Sequence, residues 1–312
     1  MKKEQFHKAI QLVCANLLGD KPYSFTYKKT VKKIDEGKTL LELYATSFPY
    51  KTEEYWIEKI ENGAILVNDK KIDANIPLKA GWITKHTTHN KTEPAINTNI
   101  NLVFENEDFL VINKPAPLPV HPSGRFYKNT LTYILEQAFP HTNYKIVHRL
   151  DANTTGLLLL AKNKETANYF INHFKDKTIK KQYVALVEGE IKSAKTTINA
   201  TIGKDKEKAG SRLLNNSGQK AETTLTVIKK FTDKTFVLLE PKDGRTNQLR
   251  LHLASINHPI IGDLGYKNKA YFKENPMTYP TDCLMLHAWK LSFIYKGNEI
   301  NLEAPIPEKF GL

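Results

Sequence analysis

From residue 109 onward the chain repeats one pattern, and that pattern limits its fold more than any other feature. Apolar runs of four to six residues recur at close intervals: Phe109–Ile112, Leu157–Ala161, Tyr183–Glu188, Thr223–Ile228, Phe236–Glu240, Leu284–His287 and Leu291–Ile294. Each is long enough for a strand and too short for a core helix. One segment, about 165 to 175, has helical spacing, with Ala167, Phe170, Ile171 and Phe174 on one face. His173 falls on the other face and is expected in solvent. Many strands with few crossover helices predict an α+β fold with a mixed, largely antiparallel sheet.

Upstream the texture changes. Residues 1 to about 20 read as an amphipathic helix, with Phe6, Ile10, Val13, Cys14, Leu17 and Leu18 at helical spacing. Residues 36 to 84 read as a compact unit. Leu40, Leu41, Leu43 and Tyr44 suggest one helix, and Tyr55, Trp56, Ile57 and Ile60 a second. Asn62-Gly63 then makes a turn, Ala64–Val67 a short strand, and Asn68-Asp69-Lys70-Lys71 a hairpin turn with a basic tip. Residues 85 to 99 are polar and without period, which predicts a linker. Two domains follow, 1–95 and 96–312, as expected for 312 residues.

The net charge of +13 draws a chain towards polyanions, although a lysine-rich solvated surface would give the same number. Of 46 basic residues only five are arginines: Arg125, Arg149, Arg212, Arg245 and Arg250. Where lysine supplies plain charge, arginine is kept for planar, forked recognition of carboxylate, phosphate or a base face. The five positions therefore map suspected chemistry. Cys14 and Cys283 lie far apart, so neither a disulfide framework nor a metal spacing is read. The start, MKKEQFHKAI, has no apolar core, and no window approaches 18 consecutive apolar residues. The expectation is a reduced, cytoplasmic protein without a membrane partner.

Three segments concentrate functional groups. His148-Arg149-Leu150-Asp151-Ala152-Asn153-Thr154-Thr155-Gly156 is a charged triplet and polar turn feeding the apolar run at 157. A loop perched on a buried strand is a common place for a catalytic group, here Asp151 as nucleophile or base. The bland alternative is an Asp making a local turn with Thr154. Lys180-Lys181-Gln182-Tyr183 opens an alternating strand, and Tyr183 alone would read as a strand aromatic. Asp243-Gly244-Arg245-Thr246-Asn247-Gln248-Leu249-Arg250 holds two of the five arginines. A buried arginine beside a carboxylate would keep that carboxylate ionised.

Together these segments resemble the RluA family of RNA pseudouridine synthases. HRLDANTTGLLLLAK is similar to the family's H-R-L-D-x-x-T-S-G motif, KKQYVALVEG to its tyrosine motif, GRTNQLRLH with HPIIGD to its G-R-T-H-Q motif, and CLMLHAWKLSF to its L-x-L-H-A element. The resemblance spans about residues 100 to 308, and four motifs in order are a specific signal. Thr155 and Asn247 stand where the family usually has Ser and His. PVHPSGR, ending at Arg125, is similar to the branch that includes tRNA position-32 synthases. Residues 36–84 resemble a degenerate S4 RNA-binding module, with Lys51-Thr52 near the place of its usual Ser-Arg pair.

The resemblance implies isomerisation of a uridine in structured RNA, tRNA first and rRNA next, without cofactor or metal. Asp151 would act on the ribose, by adding to C1′ or by removing the 2′ proton. Tyr183 would stack on the flipped base and help deprotonate C5, and Arg250 would pair with Asp151. Arg149 would fill the gap in the RNA or clamp a phosphate, and Leu286 would pack under the base. His121, Arg125, Arg245, Asn247, Lys180 and Lys181 would complete the RNA surface. It also implies a monomer with no obligatory protein partner. A catalytically silent RNA-binding or ribosome-assembly protein would share the charge and the S4-like module. A glycosidase would need a second carboxylate near Asp151, and the sequence offers no convincing one.

Overall fold

The computed structural model describes residues 3–17, 21–49, 51–205, 212–267 and 284–311. Leu18 and Cys283, both used above, lie outside them. The chain divides into two compact units: residues 18–93 form one, and the first 17 residues with everything from Pro94 onward form the other. No helix among the described residues is long and apolar enough to cross a membrane.

Helix α1 (Lys3–Ala15) belongs to the large unit, not to the N-terminal domain expected from chain order. Its apolar stripe decides this. Phe6 and Ile10 are fully buried with Leu131, Ile134 and Leu135, and Phe6 stacks on Phe139 at 5.4 Å. Cys14 packs at the edge of the same cluster.

In the small unit, β1 (Tyr23–Thr30), β2 (Ile65–Val67) and β3 (Ile83–Lys91) form an antiparallel sheet with β3 in the middle. Helices α2 (Leu40–Ser47) and α3 (Glu53–Glu61) supply Leu40, Leu43, Tyr44, Trp56 and Ile60 to its core. Thr39 and Glu42 cap α2 reciprocally, and Thr52 caps α3 by accepting from the Tyr55 N–H. Asn68 and Asp69 take positive φ in the expected tight turn. Residues 85–91 are strand rather than linker. Their neighbour Thr84 and His86 itself are buried polar residues facing the core, so composition conceals the alternation. Strand β1, with its YSFTYKKT sequence, carried no strand reading at all.

The large unit is built on an eleven-stranded sheet. Its members are β4 (Asn101–Glu105), β5 (Phe109–Lys114), β6 (Lys145–Ile146), β7 (Thr155–Ala161), β8 (Lys180–Glu188), β9 (Lys195–Lys204), β10 (Arg212–Leu214), β11 (Gln219–Lys230), β12 (Lys234–Pro241), β13 (Leu286–Tyr295) and β14 (Asn298–Glu303). The order is β10-β9-β11-β12-β8-β13-β7-β5-β4, with β14 on β13 and β6 on β7. The β13–β7 pair is parallel and the other pairs are antiparallel, which gives the mixed sheet of the α+β class. The runs expected at 284–287 and 291–294 meet in one strand, which begins at Leu286 and is bulged between Ala288 and Lys290.

Strand β7 is buried along its whole length. Leu158 and Leu160 face a core shared with α1 and α4 (Leu131–Ala138). Leu157, Leu159 and Ala161 face the other core with Phe170 of α5 (Lys164–Lys175). Each fully buried leucine is worth about 1.5–3 kcal/mol. The strand is thus a rigid mount for the loop that precedes it.

Candidate active site

The loop carrying Asp151 is fastened at both ends by polar side chains. At its start, His148 Nε2 accepts the Leu159 N–H at 2.9 Å, and its ring lies 4.5 Å from that of Phe174. Burial, aided by the charge of Lys181, pulls its pKa down to about 3, so it is a neutral acceptor. At its end, Thr155 Oγ1 bonds His287 Nδ1 at 2.8 Å. Gly156 then crosses Ala288 where the parallel strands meet; it has φ +111°, and a Cβ there would lie 2.2 Å from the Ala288 carbonyl oxygen. Only glycine fits both demands.

Lys114, which closes β5, is a site residue that the sequence reading passed over. It is fully buried, and its Nζ donates to the carbonyls of Pro115 (2.8 Å), Leu118 (3.0 Å) and Ala152 (3.1 Å). Three donors meeting three acceptors tie the 115–118 loop to the peptide just after Asp151. Burial pulls its pKa down to about 7, against the opposing pull of the Asp151 carboxylate. The signal was present: a lone lysine ends a run of core residues and precedes a proline.

Helix α6 (Gln248–Ser255) brings the arginine. Asn247 sits at its N-terminus in the left-handed region, φ 58°, which asparagine tolerates better than most residues. Arg250 is held mainly by Asp263, Nε to Oδ2 and Nη2 to Oδ1, both at 2.7 Å. Its remaining nitrogen, Nη1, reaches Asp151 Oδ2 at 3.5 Å and Asn247 Oδ1 at 3.4 Å. The ring of Tyr266, in α7 (Leu264–Lys267), lies 4.9 Å from the guanidinium carbon, and Asn247 Nδ2 donates to its hydroxyl at 2.8 Å. The pairing expected between Arg250 and Asp151 is therefore one arm of a shared cation. Burial opposes the guanidinium charge, but Asp263 and then Asp151 more than offset it.

Tyr183 on β8 is paired with Ala288 and Leu239 on the flanking strands. Burial, and then the negative charge of Asp151, raise its phenol pKa well above the usual range. The hydroxyl is a proton donor at neutral pH. Asp151 keeps 29% of its side chain exposed, so a substrate can reach it.

The other expected site residues divide. Arg149 is exposed, and its charge acts on His121, whose pKa is lowered by burial first and by Arg149 second. Leu286, at the start of β13, is buried in a core cluster with Ala185 and Leu249. Lys180 is exposed. Lys181 is turned inward, with Nζ donating to the Asp243 carbonyl at 2.9 Å; it holds the 243–247 loop. Arg245 is exposed and reaches the Lys220 carbonyl at 3.5 Å. Arg125 lies partly buried in the 115–126 loop, and Arg212 opens β10. Asn247 spends both amide atoms on Arg250 and Tyr266.

Comparison with known proteins identifies the family. The family described as RNA pseudouridylate synthase matches residues 108–255, which hold Asp151, Tyr183 and Arg250. The tRNA pseudouridine(32) synthase, mitochondrial, of Saccharomyces cerevisiae is 30% identical over 82% of the chain, and the chain spans 56% of it, about half its length. The ribosomal large subunit pseudouridine synthase C of Vibrio parahaemolyticus is 31% identical over 80% of the chain and 83% of its own length. The solved structure of human RNA pseudouridylate synthase domain containing 1 superposes with a TM-score of 0.56 at 29% identity, over 69% of this chain and 86% of that one. The chain belongs to the RNA pseudouridine synthase family.

Proposed function

We propose that the protein isomerises a uridine in structured RNA to pseudouridine, with Asp151 as the catalytic carboxylate. The observation that carries this reading is Asp151 itself: a reachable carboxylate on a clamped loop, with Arg250 at 3.5 Å and its charge felt by Tyr183. In the reaction the N1–C1′ bond breaks, the base turns, and a C5–C1′ bond forms; C5 gives up its proton and N1 gains one. Asp151 acts on the ribose, at C1′ or at the 2′ proton. The target base leaves its stack to reach the carboxylate, at a cost of a few kcal/mol that is smallest in a loop. Tyr183 stacks on it. Because its phenol is protonated, taking the C5 proton requires its own to leave first, towards the Asp151 carboxylate. Arg149 and His121 bind the RNA beside the carboxylate, and Arg125 and Lys180 extend that surface.

The RNA we favour is tRNA, with rRNA second. The PVHPSGR stretch and the yeast relative's name support that order. We also read the small unit as an S4-like RNA-binding module, supported by its two capped helices followed by strand and basic turn.

The test is tritium release from RNA labelled at uridine C5, comparing bulk tRNA with rRNA. Wild type is expected to release label from one pool, and Asp151→Ala and Asp151→Asn to release none while binding RNA nearly as well. Release by either variant would remove Asp151 from the mechanism. No release by wild type, with binding intact, would leave an RNA-binding protein on this fold.

A further inference from the structure

Arg250 is shared unequally between two carboxylates. Asp263 takes two short parallel bonds, whereas Asp151 takes one long one. Asp263 is almost completely buried, and its Oδ1 also accepts the N–H groups of Gly265 and Tyr266 at 3.1 and 3.2 Å. Its own position is thereby settled by backbone. Asn247 Oδ1 meets the same Nη1 that faces Asp151, and its Nδ2 holds the Tyr266 hydroxyl. The guanidinium is thus enclosed by a fork, an amide and an aromatic face before Asp151 touches it. A carboxylate gripped bidentately by an arginine is a poor nucleophile and a weak base, because the pair stabilises its resting charge.

We propose that Asp263, with Asn247, is a positioning residue for the isomerisation: Asp263 occupies most of Arg250, so that Asp151 is oriented by a single nitrogen and keeps its reactivity. This rests on the reading of Asp151 as the catalytic carboxylate. The charged and titratable groups facing Asp151 are Arg250 from α6, Tyr183 from β8 and Lys114 from β5. Replacing Asp263 by a neutral amide removes a negative charge from the far side of Arg250. More of the cation then falls to Asp151, its ionised form is stabilised, and its proton affinity drops.

The experiment is the pH profile of turnover on the responsive RNA for wild type, Asp263→Asn and Asn247→Ala, with Asp151→Asn as control. For Asp263→Asn, kcat on the plateau is expected to fall by about ten- to a hundred-fold while KM stays within about threefold. Its acid limb is expected to move to lower pH by about half a unit or more. Asn247→Ala removes no charge, so kcat is expected to fall with KM and the acid limb unmoved. An acid limb that stays put or moves upward in Asp263→Asn overturns the sharing of the cation. If Asp263→Asn does not fold, an unchanged kcat in Asn247→Ala overturns the proposal and a lowered one supports it. Turnover by Asp151→Asn instead defeats the underlying reading, which separates the two failures.

Discussion

At the residue scale the site turns on where single charges are allowed to sit. Five arginines were marked as candidate chemistry, and one of them, Arg250, is the half-buried cation between carboxylates. The others line loops and strand starts. Lys181 shows the reverse: it reads as RNA-facing charge, yet burial draws its pKa down to about 8, against the Asp243 charge, and its amine fastens a loop. Tyr183 carries the sharpest expectation. Tyr183→Phe keeps the ring and loses the proton. It is expected to bind RNA as wild type does and to turn over at least about a hundredfold more slowly, the scale of a lost general acid–base group. Parallel measurement of RNA affinity and tritium release checks this, and wild-type release would refute the proton-transfer role.

At the element scale the loop that carries Asp151 owes its shape to the strands that bracket it. Strand β7 is buried on both faces, and its first turn of chain must pass within contact distance of Ala288 on β13. Gly156→Ala places a methyl group into that backbone at a φ that L residues rarely adopt. The expected cost is about 3 kcal/mol or more. That lowers the melting temperature by about 6–12 °C for a unit of this size. Calorimetry or a thermal melt checks it, and an unchanged melt would show that the β7–β13 junction yields. Capped helices have a quieter role. Thr52 is spent on the N-terminus of α3, and Lys51 lies over the Tyr55 ring at 4.6 Å.

At the scale of the whole molecule the charge is unevenly allotted. Residues 18–93 hold thirteen lysines against eleven carboxylates, a net +2, so the rest of the chain carries +11 of the +13. Attraction to phosphate is therefore concentrated in the large unit, which also holds the candidate site. RNA affinity is expected to fall at least about tenfold between about 50 and 200 mM salt, as for a protein neutralising roughly three phosphates or more. Titration of the intact protein at several salt concentrations measures this. A nearly flat dependence would assign the binding energy to stacking and shape.

Period and motif were legible in the chain itself. Apolar runs at short spacing determined the strands, because burial on a pleated surface demands them. Four motifs in order determined the family and pointed to Asp151, Tyr183 and Arg250. Strands β1 and β3 escaped because their inward residues are polar or aromatic, and α1 was assigned by chain order although its stripe fits a core more than 80 residues downstream. Only the tertiary structure could decide who owns Arg250. Asp263 and Asp151 are both carboxylates with no mark of rank in the sequence, and their roles separate when one is fully buried in a fork and the other left reachable. Lys114 belongs to the same class: a lysine reads as solvent until two carbonyls of the loop that follows it and that of Ala152 from a distant loop close around it. Local pattern records what each segment buries, whereas convergence of distant side chains is set by how the segments pack.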